Sequence, residues 1–137
     1  MDEEKIIFTA LDPLNRSVTL TGQTWTVHIT GDSGHDEVLT EHIKSNIENP
    51  RYILQNVKPK KDGSSELIID DSRQDYVDII PKGDRIYGIK TIVEFDKNNN
   101  GTIVTNHILR NIKEIKTIGG VIYDSKQNKS STGFTTL

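Results

Sequence analysis

From residue 52 onward the chain is written almost entirely in short β-rich runs separated by turn residues, and this limits the folds open to it. "YILQNV" (52–57), "SELIID" (65–70), "DYVDII" (75–80), "RIYGIKTIVEF" (85–95) and "GTIVTNHIL" (101–109) are rich in Ile, Val, Tyr and Thr. These residues suit a pleated, half-buried surface. The clusters "KPKKDGS", "DSRQ", "PKGD" and "DKNNNG" read as the turns between them. Asn-Asn-Gly at 99–101 joins two long alternating runs and is a hairpin signal.

The N-terminal part adds a hairpin and a helix. "KIIFTAL" (5–11) and "SVTLTG" (17–22) flank the turn "DPLNR" and pair back on each other. "HDEVLTEHIKSNIENP" places Leu39, Ile43 and Ile47 at i, i+4 and i+8, and Asn49-Pro50 stops it. The spacing predicts a helix over 35–48, and Ser33 in "SGHD" is a candidate N-cap of a capping box. His42 lies at the edge of the apolar stripe, where packing is its default role. Residues 24–30, "TWTVHIT", carry two patterns: strict alternation predicts a strand, whereas Trp25, His28 and Ile29 also share one helical face. Residues 119–137 end in the polar run "KQNKSSTGFTTL", which reads as a partly disordered extension. The expected architecture is α+β in one domain over 1–118. An N-terminal hairpin and one or two helices pack on an antiparallel sheet of about four to five strands.

At 137 residues the chain can bury a modest core. With no cysteine it has no disulfide, thiolate nucleophile or zinc-thiolate site, which fits a cytoplasmic protein. The opening "MDEEKIIF" lacks the cationic region of a secretory signal, and no apolar run is long enough to cross a membrane. A formal charge of −3 argues against broad coating of nucleic acid, although not against a small basic cleft.

There is no P-loop, GxGxxG, HExxH, EF-hand or GxSxG motif, so no cofactor is implied. His28, His35 and His42 are evenly spaced, but "GDSG" prevents a single helix from aligning them on a metal. RNA cleavage requires no metal: a base takes the 2′-OH proton, an acid protonates the leaving 5′-oxygen, and cations or donors stabilise the phosphorane. Histidine titrates in the working range. His28, His35, Arg51, Tyr76, Thr105 and His107 supply the residue types, though a chain of this size holds a few such groups by chance.

In order, "SVTLTGQTWTVHITGDSGHDEV", "IKSNIENPRYIL", a central Tyr and "IKTIVEFDKNNNGTIVT" resemble the phage and prophage branch of the barnase–EndoU–colicin–RelE-like ribonuclease superfamily. The resemblance covers roughly residues 5–109. It implies a helical 23–30 and a catalytic His35 with Glu37 as its partner. It also implies Arg51 on phosphate, Thr105 near the scissile group, Tyr76 toward substrate, and His28 or His107 as second imidazole. The implied protein is a metal-independent endoribonuclease, toxin-like or phage-encoded, acting on RNA such as tRNA or mRNA. A cognate inhibitor protein and a cytoplasmic location go with it, and a membrane does not. "NHILRN" after Thr105 and the acidic "GDSGHDE" depart from the family pattern. They leave room for the alternative, a non-catalytic binding or accessory protein on the same scaffold.

Overall fold

The computed structural model describes residues 5–25, 40–61, 63, 66–110 and 119–126, with only the backbone at 82. His28, His35, Glu37, Ser33 and the first part of the expected helix lie outside the described residues. The strands are β1 (Ile6–Leu11), β2 (Ser17–Thr21), β3 (Tyr52–Pro59), β4 (Leu67–Lys82), β5 (Arg85–Phe95), β6 (Gly101–Leu109) and β7 (Val121–Asp124). One helix among the described residues, α1 (Thr40–Glu48), precedes β3.

These strands form one seven-stranded sheet in the order β1-β2-β6-β5-β4-β3-β7, curled into a half-barrel. This overturns the expected α+β arrangement with a sheet of about four to five antiparallel strands. The N-terminal hairpin is not a separate layer. β2 runs parallel to β6, with Val18 opposite Gly101 and Thr19 opposite Thr102, which makes the sheet mixed. Gly101 permits this join, because a Cβ there would meet Val93 Cγ1 at 2.6 Å and Phe95 Cε1 at 2.9 Å. Local patterning carries no information about a parallel partner about eighty residues away along the chain, far beyond the dozen or so residues that a parallel crossover requires.

"DSRQ" is not a turn. β4 runs through it as a single strand, paired with β3 across Tyr52–Pro59 and with β5 from Arg73 to Lys82. Ser and Asp are tolerated here because the first part of β4 pairs on one side only, as half of a two-stranded arm with β3. Leu67, Ile68 and Ile69 on that arm are 43%, 37% and 51% exposed. The hairpin at 99–101 forms as expected. Asn99 takes φ 63°, and Asp96 Oδ1 accepts from the Asn98 and Asn100 amides. Val121–Asp124, within the segment read as an extension, pair antiparallel with β3 as the seventh strand.

Residues 22–25 make a helical turn, so Thr24 and Trp25 are not in a strand, and the remainder of 24–30 lies outside the described residues. In α1, Ile43, Asn46 and Ile47 are buried at i, i+3 and i+4 against the sheet. Burying each isoleucine contributes about 1.5–3 kcal/mol. They join Val18, Leu20, Ile53, Ile89, Val93 and Ile103 in the core.

Candidate active site

Strand register sorts the polar residues onto two faces. Tyr76, Thr91 and Asn106 lie opposite one another across β4, β5 and β6, and Asn46 of α1 hydrogen-bonds to this row, so it is the helix side. The neighbouring rows, Asp75–Ile92–Thr105 and Val77–Lys90–His107, therefore occupy the far face.

On the far face two β-bulges bracket one row. The register of β3 shifts between Gln55 and Val57, and that of β5 with β6 shifts between Ile92 and Val93. A bulge adds an unpaired residue and re-aims side chains, and bulges recur beside active sites. At the first bulge, Asn56 Nδ2 donates to Asp75 Oδ1 at 2.7 Å. Asp75 is 8% exposed. Burial pushes its carboxyl above the usual carboxylate range, while Asn56, Lys90 and His107 pull the other way. Lys90 stands directly opposite His107, where side chains have Cβ atoms about 5 Å apart. The face thus carries a buried carboxyl with a raised pKa on β4, an ammonium on β5 and, one strand further on β6, an imidazole and the Thr105 hydroxyl, residue types that a proton-transfer site uses.

Of the residues singled out from sequence, Thr105 and His107 come together here on one face of β6. Arg51 does not join them. It precedes β3, its guanidinium lies 5.1 Å from the Tyr52 ring centroid, and Nη2 donates to the Tyr52 hydroxyl at 3.4 Å. That hydroxyl, with the charges of Asp124 and Asp78, raises its pKa.

Tyr76 is fully buried on the helix side. Its hydroxyl donates to Asp12 Oδ2 at 2.5 Å and accepts from Arg16 Nη2 at 3.2 Å. Burial first, then the Asp12 carboxylate, pushes the phenol far above its ordinary value. Asp12 Oδ1 also accepts from the Leu14 and Arg16 amides, and Oδ2 from Arg16 Nε at 2.9 Å. Arg16 further lies 4.2 Å over the Phe95 ring. This cluster ties the "DPLNR" turn to the centre of the sheet.

Asp75 and Lys90 were not singled out from sequence. Their signal is a charged residue in a β-rich run, in "DYVDII" and "GIKTIV", which becomes meaningful only once the register is known. Among the described residues no group of three or more His, Cys, Asp or Glu could hold a metal ion, and no helix is long and apolar enough to cross a membrane. Comparison with known proteins finds no matching family model, curated protein or solved structure.

Proposed function

We propose that the far-face row is the proton-transfer site of a metal-independent endoribonuclease. The observation that carries this reading is the grouping of Thr105, His107, Lys90 and Asp75 on three adjacent strands, between two bulges. The sequence resemblance to the barnase–EndoU–colicin–RelE-like superfamily supplies the substrate class.

In this mechanism the His107 imidazole takes the 2′-OH proton as the 2′-oxygen attacks phosphorus. The P–O5′ bond breaks, and the leaving 5′-oxygen receives a proton from a second acid. His35 and His28 are the residues the sequence offers for that second role. A 2′,3′-cyclic phosphate results. The Lys90 ammonium and the Thr105 hydroxyl stabilise the phosphorane oxygens, and Asp75, held by Asn56, sets the local charge.

The test is incubation with bulk tRNA and mRNA in EDTA, comparing the parent with His107→Ala and His35→Ala. Cleavage leaving cyclic phosphate ends, reduced by about 10²–10⁴-fold in His107→Ala, is expected. Intact RNA at high protein concentration overturns the proposal.

A second reading, a binding or accessory protein, is favoured by the exposed Leu67, Ile68 and Ile69 on the β3–β4 arm. Adjacent exposed aliphatics of this kind mark partner surfaces. Loss of a partner interaction in Ile69→Lys, in a protein that leaves RNA intact, would support it.

A further inference from the structure

The β3–β4 arm has an open edge whose hydrogen-bonding phase is fixed. Over residues 67–69, β4 pairs with β3 on one side, and β5 joins β4 only from Arg73 onward. Among the described residues nothing pairs with the other side of Leu67, Ile68 and Ile69, and all three are exposed. Lys60 N donates to Glu66 O at 2.9 Å, so Glu66 and Ile68 turn their backbone groups toward β3. Leu67 then sits opposite Pro59, which has no N–H to give, in a non-hydrogen-bonded pair. Leu67 and Ile69 therefore direct N–H and C=O outward, to the open edge.

Three other edges of the sheet are guarded. β1 has a bulge between Ile6 and Phe8, β7 is four residues long, and the arm's β3 edge carries Pro59 between Lys58 and Lys60. Bulges, shortness, proline and lysine all keep a foreign strand off an edge. Residues 67–69 have none of these features.

This edge is complementary to itself. When two antiparallel copies meet about a two-fold axis at Ile68, Leu67 faces the partner's Ile69. Both present outward groups, so each such pair exchanges two backbone hydrogen bonds, and Ile68 meets its own copy at the closer, non-hydrogen-bonded spacing. Every aliphatic side chain then opposes another aliphatic one. The same phase centred on Leu67 would set Ile68 against Glu66, and centred on Ile69 it would set Leu67 against Asp71. Glu66 and Asp70 flank the Ile68-centred joint, and each already holds a lysine of its own β3, Lys60 at 3.3 Å and Lys58 at 3.6 Å. The flanks thus meet as ion pairs and not as bare carboxylates.

We infer that two copies of this chain join through their β4 edges into a four-stranded β3-β4-β4-β3 ribbon across a two-fold axis. Each copy gives three residues to the joint, so the dimer is weak and forms with rising concentration. This is the arm that favours a binding role, and its self-pairing holds whether or not the protein cleaves RNA.

Cysteine substitution tests the register, because the chain has no cysteine of its own. Ile68→Cys sets two thiols face to face with Cα atoms about 4.5 Å apart, a separation that a disulfide spans. Leu67→Cys and Ile69→Cys each lie about 8–9 Å from their own copies, too far to bridge. On oxidation, Ile68→Cys is expected to form a covalent dimer at least about tenfold faster than either of the others, read on non-reducing gels. Sedimentation of the parent is expected to show a monomer–dimer equilibrium below about 1 mM. Ile69→Pro removes an outward N–H, leaves the β3 ladder intact, and is expected to weaken the dimer by about tenfold or more. A parent that stays monomeric at about 1 mM, a dimer that Ile69→Pro leaves unchanged, or equal cross-linking at the three positions overturns the inference.

Discussion

Two polar clusters sit on opposite faces of the same strands and differ in how completely their groups are satisfied. On the helix side, the two Asp12 oxygens accept four hydrogen bonds, from Leu14 N, Arg16 N, Arg16 Nε and the Tyr76 hydroxyl. On the far face, the Asp75 carboxyl receives the Asn56 amide, and burial leaves its pKa raised even beside Lys90 and His107. A saturated carboxylate anchors the fold and is not free for chemistry. An under-satisfied one keeps its proton close and can exchange it. Burial alone does not separate the two, since both carboxylates are nearly inaccessible.

The largest effect that would break this contrast is on stability. Asp12→Ala leaves Arg16 and Tyr76 without their acceptor, and the expected loss is about 3–5 kcal/mol. That is a large share of the 5–15 kcal/mol typical of a whole domain. A urea midpoint unchanged from the parent would show that the helix-side cluster is not an anchor.

His107→Ala is expected to do the reverse. RNA cleavage falls by about 10²-fold or more, while stability moves by about 1 kcal/mol or less, because the side chain is half-exposed on the far face. Comparable losses in both measurements would make His107 structural.

Asp75→Asn sharpens the contrast through pH. The folded carboxyl has a pKa above its ordinary 3.8, so between the two values the folded state binds more protons than the unfolded chain. Stability therefore falls as pH rises through that window. The Asn variant lacks this loss and is expected to be more stable than the parent at neutral pH, with the gap closing in acid as pH approaches 3.8. Thermal melts across pH give the answer, and a parent that loses stability relative to the variant on acidification would refute the assignment.

The smallest effect is a control on the same face. Arg73 Nε meets Glu94 Oε1 at 3.1 Å, with side chains 37% and 51% exposed. Arg73→Ala is expected to cost about 0.5 kcal/mol or less, since exposed ion pairs are screened. A larger loss in chemical denaturation would mean that any charge on this face is structural, which would weaken the case for Asp75.

Much of the local structure was legible from the residues. The runs at 5–11, 17–22, 52–57, 85–95 and 101–109 are strands to within a few residues, the Asn-Asn-Gly tip turns where expected, and Ile43 and Ile47 face the core from a helix that stops at Asn49-Pro50. Thr105 and His107 were singled out within one β-rich run, and strand alternation puts them on one face of β6. Asp75 and Lys90 were not, because a charged residue in a β-rich run looks the same whether it points to solvent or into a cluster. Only the resemblance implied Tyr76 toward substrate; its strand position alone suggested sheet packing, and it is buried in the core against Asp12 and Arg16.

Alternation, turn residues and helical spacing are properties of neighbours along the chain, so the sequence by itself determined where most strands, hairpins and α1 lie. Tertiary structure decided the rest. The parallel join of β2 to β6, the unbroken β4 and the choice of which carboxylate is saturated all depend on residues far apart in sequence. Their pairing energy exists only after the chain has folded.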